Sequence, residues 1–305
     1  MRICSTLPSA TEILYSLGLG DQVVGVSFEC DYPEAATRKP LIVTSVVQYL
    51  HKRSDHIDQM VLDYLRRRQG LYQVDLEVLR DARPDLVITQ DLCSVCAVTI
   101  NDIGQAVQEL SPPPRIISLH PHTLGDVLGD IQKVGEATGR TAEALELIRE
   151  LQLRIDTVRA KASQASSRPR AVCIEWLKPL MTAGHWVPEM VECAGGQPGL
   201  AEVGRPSAYV SWEAIRQYQP EVVFLMPCGF SVERTLQETA LVKELPGWSN
   251  LPAVRAGRVF LVDGSAYYNR PGPRLVTGLE ILANGLHPEL WPWPTMPDGA
   301  MRLLD

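Results

Sequence analysis

The chain has 305 residues, of which 45% are hydrophobic and 21% charged, with a formal net charge of −7 at pH 7. That length supports two cores of ordinary domain size, and acidic and basic residues are interspersed, so there is no basic stripe to neutralise nucleic-acid phosphates. No apolar run approaches the ~20 residues needed to span a bilayer as a helix.

The N-terminus, Met1-Arg2-Ile3-Cys4-Ser5-Thr6-Leu7-Pro8-Ser9, lacks the charged start, apolar stretch and small-residue cleavage site of a secretory signal. The 7 cysteines are odd in number and include the C-x-x-C pair Cys93 and Cys96, which is unlike a secreted disulfide framework. Both features suit the cytoplasm; a periplasmic location requires that a leader has been removed.

In chain order, short β-rich apolar runs alternate with segments of helical period. Strands are predicted over Gln22 to Ser27, Asp85 to Thr89 and Arg115 to Leu119, then over Ala171 to Ile174, Glu221 to Met226 and Val259 to Val262. The alternation predicts an α/β fold of two Rossmann-like lobes with parallel sheets joined by one long interdomain helix. The boundaries are 1–138 for the N-terminal lobe, 139–165 for the linking helix and 166–305 for the C-terminal lobe with its Pro-rich tail. The helix is read over Thr141 to Ser163, with Thr141 as N-cap and an apolar face of Leu145, Ile148, Leu151, Ile155 and Val158.

A weak internal repeat links the two halves. Asp75-Leu76-Glu77 leads to Pro84-Asp85-Leu86, and Ser211-Trp212-Glu213 leads to Pro220-Glu221-Val222, each glutamate lying seven residues before the proline. The pattern reads as an N-capped short helix stopped by proline and followed by a buried strand.

Ligands of open α/β sheets sit beyond the carboxyl ends of the strands. There the chain carries Phe28, Glu29 and Cys30; Cys93 and Cys96; and His120 and His122 in the first half, and Trp176, Cys228, Phe230, Tyr267, Tyr268 and Arg270 in the second. With His185, Trp186, Tyr209 and Trp212, the aromatic residues of the second half suit a broad, flat, partly apolar ligand such as a macrocycle. For Trp212, core packing is an equal reading.

Cys30, Cys93 and Cys96, with Cys228 or a histidine, raise a metal ion or iron–sulfur cluster as an alternative, while Cys4, Cys173 and Cys193 read as space-filling. The chain shows no nucleophile elbow, phosphate-binding loop or zinc-protease helix, so an enzyme is not expected; a thiol enzyme built on Cys93 or Cys96 is the remaining option of that kind.

These features resemble a known family, the cobalamin-binding proteins of ATP-driven vitamin importers, within the helix-hinged group of metal and siderophore binders. The matching stretches are Leu7-Pro8-Ser9-Ala10-Thr11-Glu12, Gly25-Val26-Ser27 through Asp31-Tyr32-Pro33, Arg83-Pro84-Asp85-Leu86-Val87-Ile88, Glu192-Cys193-Ala194-Gly195-Gly196, Ser211-Trp212-Glu213 and Arg270-Pro271-Gly272-Pro273-Arg274. The resemblance implies cobalamin held edge-on between the lobes, with Phe28 to Cys30 lining the first and Trp176, Tyr267, Tyr268 and Arg270 the second. It implies docking of Glu77 and Glu213 onto arginines of an ABC-transporter permease, and a monomer. Two departures stand out: Gln90-Asp91-Leu92-Cys93 where relatives carry a tryptophan, and Ala266 where they carry an acidic residue.

Overall fold

Six strands fall where alternating apolar runs predict them, and six short ones complete two sheets. The computed structural model describes residues 1–46, 52–67, 70–91, 100–291, 297 and 299–304. The elements run β1 (Ile3–Ser5), α1 (Pro8–Ser16), β2 (Val23–Ser27), β3 (Leu41–Ser45), α2 (Ser54–Arg66), β4 (Tyr72–Val74), α3 (Leu76–Ala82), β5 (Leu86–Gln90), α4 (Ile100–Gln108), β6 (Arg115–Leu119), α5 (Leu124–Thr138) and α6 (Thr141–Ala162). They continue with β7 (Ala171–Leu177), β8 (Leu180–Thr182), α7 (Val187–Cys193), β9 (Ala208–Tyr209), α8 (Trp212–Tyr218), β10 (Val222–Leu225), α9 (Val232–Leu236), α10 (Ala240–Lys243), α11 (Pro252–Arg255), β11 (Val259–Val262), α12 (Gly264–Tyr267), α13 (Leu275–Leu286) and β12 (Met301–Leu303).

The chain divides into two units. The first holds residues 1–52, 56–121 and 125–149; the second holds 53–55, 122–124 and 150–305. In the first, the strand order is β4-β3-β2-β1-β5-β6. β1, β2, β3, β5 and β6 pair in parallel, and β4 is antiparallel to β3. Cys4, Ile42, Leu79, Val87 and Ile103 form its core.

In the second unit the order is β12-β11-β10-β7-β8-β9. Only β7, β10 and β11 are parallel, while β8, β9 and β12 join antiparallel. The expected parallel strands run through each sheet, and antiparallel strands at the margins make both sheets mixed. The reason at β7 and β8 is connection length: Lys178-Pro179 can close a hairpin, whereas a parallel partner needs a crossover of a dozen or more residues. Val172, Ile174, Ile215, Val223, Leu225 and Leu261 fill this core, and Trp248 packs with them.

The internal repeat has a structural cause. Asp75 caps α3 by accepting from the Glu77 and Val78 amides, and Ser211 caps α8 by accepting from the Ala214 amide. Both helices end on a left-handed residue, Arg83 at φ 42° and Gln219 at φ 52°. The acidic residue after each proline then pins the residue that precedes the first strand: the Arg2 amide donates to Asp85 Oδ2 (2.7 Å) and the Arg170 amide to Glu221 Oε2 (3.0 Å). The Arg2 and Arg170 carbonyls accept from the Leu86 and Val222 amides. Their side chains close the helix ends, donating through Nε to the carbonyls of Ala82 and Gln219. These arginines are part of the repeat, and the sequence pattern missed them because they lie some eighty and fifty residues from the helices they close.

Helix α6 begins at Thr141, so Thr141 is its first residue and not its cap. Ala144, Leu151, Ile155 and Val158 are buried, whereas Leu145 and Leu153 are 51% and 68% exposed, so Leu145 leaves the expected apolar face. Among the described residues no helix is long and apolar enough to cross a membrane.

Candidate functional site

In each sheet the strand order reverses beside a central strand, and connections leave in opposite directions there. The reversal falls between β1 and β5 in the first unit and between β7 and β10 in the second. A crevice opens beyond the carboxyl ends of strands at such a point.

In the second unit this position holds an aromatic corner. Trp176 lies within β7, not after it as the sequence suggested, because the β7–β8 hairpin prolongs the strand to Leu177. The register shifts between Ile174 and Trp176, and such a bulge re-aims side chains. The Trp176 ring meets Phe230 at 5.6 Å between centroids, tilted by 59°. The Arg234 guanidinium covers the Phe230 ring at 4.6 Å and is held by the buried Glu238 carboxylate at 2.7 Å. The Trp176 Nε1 is buried yet has no hydrogen-bond partner among the described residues, which leaves the donor unmatched there.

Around this corner lie half-buried Cys228, Tyr267 and Arg270. The Arg274 guanidinium sits 5.8 Å from the Tyr267 ring centre. Gly264 opens α12 against the Met226 and Pro227 carbonyls, so close that a Cβ would collide with them. That contact brings the ends of β10 and β11 together.

His185 adopts φ 52°, a left-handed conformation uncommon for a residue with a Cβ. Its amide donates to the Arg205 carbonyl and its carbonyl accepts from the Gly204 amide. The neighbouring Gly184 lies flat against the Arg205–Ser207 backbone, where a Cβ would clash. The His185 ring stacks on Trp186 at 5.5 Å and stands 5.7 Å from His122.

Other sequence candidates take part in the packing of the second unit. Tyr268 is 1% exposed, with its hydroxyl donating to the Gly278 carbonyl (3.0 Å). Trp186 is 4% exposed and donates Nε1 to the Tyr268 carbonyl (2.8 Å). Trp212 donates to the Pro246 carbonyl (2.9 Å) and stacks on Trp248 at 6.0 Å. Tyr268 and Trp186 are buried and Trp212 is half-buried, each with its polar handle already satisfied. Tyr209, on the edge strand β9, is 61% exposed.

In the first unit, Phe28 and Glu29 are half-buried just after β2, with the Phe28 ring 6.4 Å from Tyr72. Cys30 is buried and its thiol accepts from Thr11 Oγ1 (3.1 Å). Cys93 and Cys96 lie outside the described residues. Among those described, no three His, Cys, Asp or Glu side chains gather into a metal site, so the iron–sulfur alternative gains no support from Cys30. Burial pushes the Cys4 thiol up to about 12, and raises those of Cys173 and Cys193 as well, which makes all three poor thiolates. Glu77 and Glu213 are exposed, each the second residue of its capped helix; Glu213 pairs with Arg216 at 3.0 Å.

Two mixed α/β sheets, each open at a strand-order reversal, form the architecture of a two-lobed ligand-binding protein. The chain belongs to the periplasmic binding protein family, whose pattern it matches over residues 3–266. It is 25% identical over 296 residues to an uncharacterised ABC transporter substrate-binding lipoprotein of Bacillus subtilis, covering 94% of this chain and 80% of that one. It is 25% identical over 285 residues to the vitamin B12-binding protein of Vibrio parahaemolyticus, covering 91% and 86%. In fold it matches a periplasmic heme-binding protein from Roseiflexus with a TM-score of 0.71 at 22% identity, over 95% of this chain and 98% of that one. A cytoplasmic location finds no support among these relatives, which are of lipoprotein and periplasmic types.

Proposed function

We propose that this chain is the substrate-binding component of an ATP-driven importer, working outside the cytoplasmic membrane, and that it carries a metal-bearing tetrapyrrole, with cobalamin its first ligand. The observation that carries the reading is the corner of Trp176, near the end of β7, and Phe230, beyond the end of β10, with a buried indole N–H that no group among the described residues accepts. A flat, largely apolar macrocycle rimmed by hydrogen-bond acceptors complements such a corner, packing on the rings while an amide or carboxylate oxygen takes the indole proton. The B12-binding relative supports cobalamin. The heme-binding protein of similar fold supports the same ligand shape, with heme as the second reading.

Parallel titrations with cyanocobalamin and hemin, followed by ligand absorbance and tryptophan quenching, test this. The expected result is one-to-one binding of cyanocobalamin at micromolar affinity or tighter, weakened about tenfold in Trp176→Phe, which keeps a ring but deletes the donor. Tight hemin binding without cyanocobalamin binding would move the assignment to heme. Binding of neither would remove the tetrapyrrole reading and leave the family membership standing.

A further inference from the structure

Helix α1 starts in an unusual way for a buried helix. Its N-cap is Leu7, which has no side chain able to cap, and Pro8 occupies the first turn. The first amides of a helix have no partner within it. Here those of Leu7, Ser9 and Ala10 meet no other protein acceptor among the described residues, although the three residues are 5%, 1% and 0% exposed.

The Ser9 hydroxyl is also buried and without a partner among the described residues. Helical side chains lean toward the N-terminus of their helix, so this hydroxyl lies beside the open amides. The neighbouring hydroxyls are all committed. Ser5 Oγ donates to the Leu7 carbonyl (3.0 Å), Thr6 Oγ1 to the Ile88 carbonyl (3.2 Å), and Thr11 Oγ1 reaches Ser5 Oγ (2.9 Å) and Cys30 Sγ (3.1 Å).

Unpaired buried donors cost free energy that an acceptor would recover. This group of donors stands beyond the carboxyl end of β1, at the strand-order reversal between β1 and β5. The helix dipole there favours negative charge. We infer that the N-terminus of α1, with Ser9 Oγ and the Ser9 and Ala10 amides, receives an oxyanion of the bound molecule, a carboxylate or phosphate oxygen. The inference rests on the ligand-binding reading above and adds to it a subsite in the first unit that discriminates by charge.

Two ligand pairs that differ in their acidic oxygens test it: cyanocobalamin against dicyanocobinamide, which lacks the phosphodiester, and hemin against hemin dimethyl ester. Ser9→Ala deletes the hydroxyl; Ser9→Asp places a carboxylate where the anion would sit. The expected result is that Ser9→Ala weakens the acid-bearing member of one pair about tenfold, Ser9→Asp weakens it further, and the neutral member binds all three proteins alike. A loss confined to the first pair names the phosphodiester, and one confined to the second names the carboxylate. Equal losses for both members of a pair, or none for any, would overturn the subsite.

Should the wild-type protein bind none of the four, the tetrapyrrole reading fails and inorganic phosphate decides the subsite alone. Phosphate that raises the melting temperature of wild type above a chloride control of equal ionic strength, but not that of Ser9→Asp, sustains it. No such shift rejects it. Circular dichroism of both variants establishes that they fold.

Discussion

Single residues show how one side-chain type takes opposite roles in this chain. Trp176 keeps an unused donor at the end of β7, whereas Trp186 and Trp212 give theirs to the Tyr268 and Pro246 carbonyls. Tyr268 is a packing residue with a satisfied hydroxyl, so Tyr268→Phe should lower stability by about 1–2 kcal/mol and leave ligand affinity unchanged. Denaturant unfolding beside a ligand titration separates the two effects, and a selective loss of affinity would restore Tyr268 to the site. Asp130 in α5 is 8% exposed, and its Oδ2 has no partner among the described residues. Burial, assisted by the negative charge of Asp126, raises its carboxyl to about 7 against the pull of Lys133 and the His120 backbone amide. The folded state therefore holds this proton more tightly than the unfolded chain, where a carboxyl titrates near ~4. Its contribution to stability is whole below about pH 4 and is lost as the pH rises through about 7, a change on the order of 4 kcal/mol. Asp130→Asn should remove that slope; a melting-temperature profile from pH 5 to 8 that keeps the wild-type slope would show the burden lies elsewhere.

Among the elements, the clearest sequence signal is the capped helix, proline and strand that occurs once in each half. It is legible because capping and chain stopping are local, needing only Asp75 or Ser211 before the helix and Pro84 or Pro220 after it. Helices α3 and α8 have seven residues each, too few to persist without their caps and packing. Asp75→Ala is expected to cost about 1–2 kcal/mol and Ser211→Ala about 1 kcal/mol. The order follows from the bonds, since Asp75 accepts from two amides and Ser211 from one, and its charge adds a favourable term with the helix dipole. Chemical denaturation of the two variants measures this, and a reversed order would contradict it. The sequence reading missed β3 and the short strands β1, β4, β8, β9 and β12; runs of two or three residues carry too little alternation to be read. The alternation could not foretell the direction of those strands either, since direction depends on which strand each one reaches.

For the molecule as a whole, the repeated design gives the paired glutamates a common setting. Glu77 and Glu213 are both exposed, and each follows the first residue of a capped helix that leads into a central strand. As docking residues, carried over by resemblance, they should be separable from ligand binding. The double substitution Glu77→Lys, Glu213→Lys is expected to leave ligand affinity within twofold while reducing ligand-dependent ATP hydrolysis by the reconstituted importer at least about tenfold. Unchanged stimulation would return both carboxylates to the ordinary role of balancing helix dipoles.

The sequence by itself determined the α/β class, the two halves, the long helix at Thr141 and six of the strands, β2, β5, β6, β7, β10 and β11. Those features follow from periodicity, capping and proline, which act over a few residues and can be read along a line. It also brought forward Trp176 and Phe230, because both sit near the ends of apolar runs. Only the tertiary structure decided that the Tyr268, Trp186 and Trp212 polar groups are bonded within the second unit, and that the Trp176 indole and the amides of Leu7, Ser9 and Ala10 meet no acceptor among the described residues. The physical reason is that hydrogen-bond satisfaction and burial depend on partners distant in sequence, such as the carbonyls of Tyr268 for Trp186 and Gly278 for Tyr268, and no local pattern records which partner arrives.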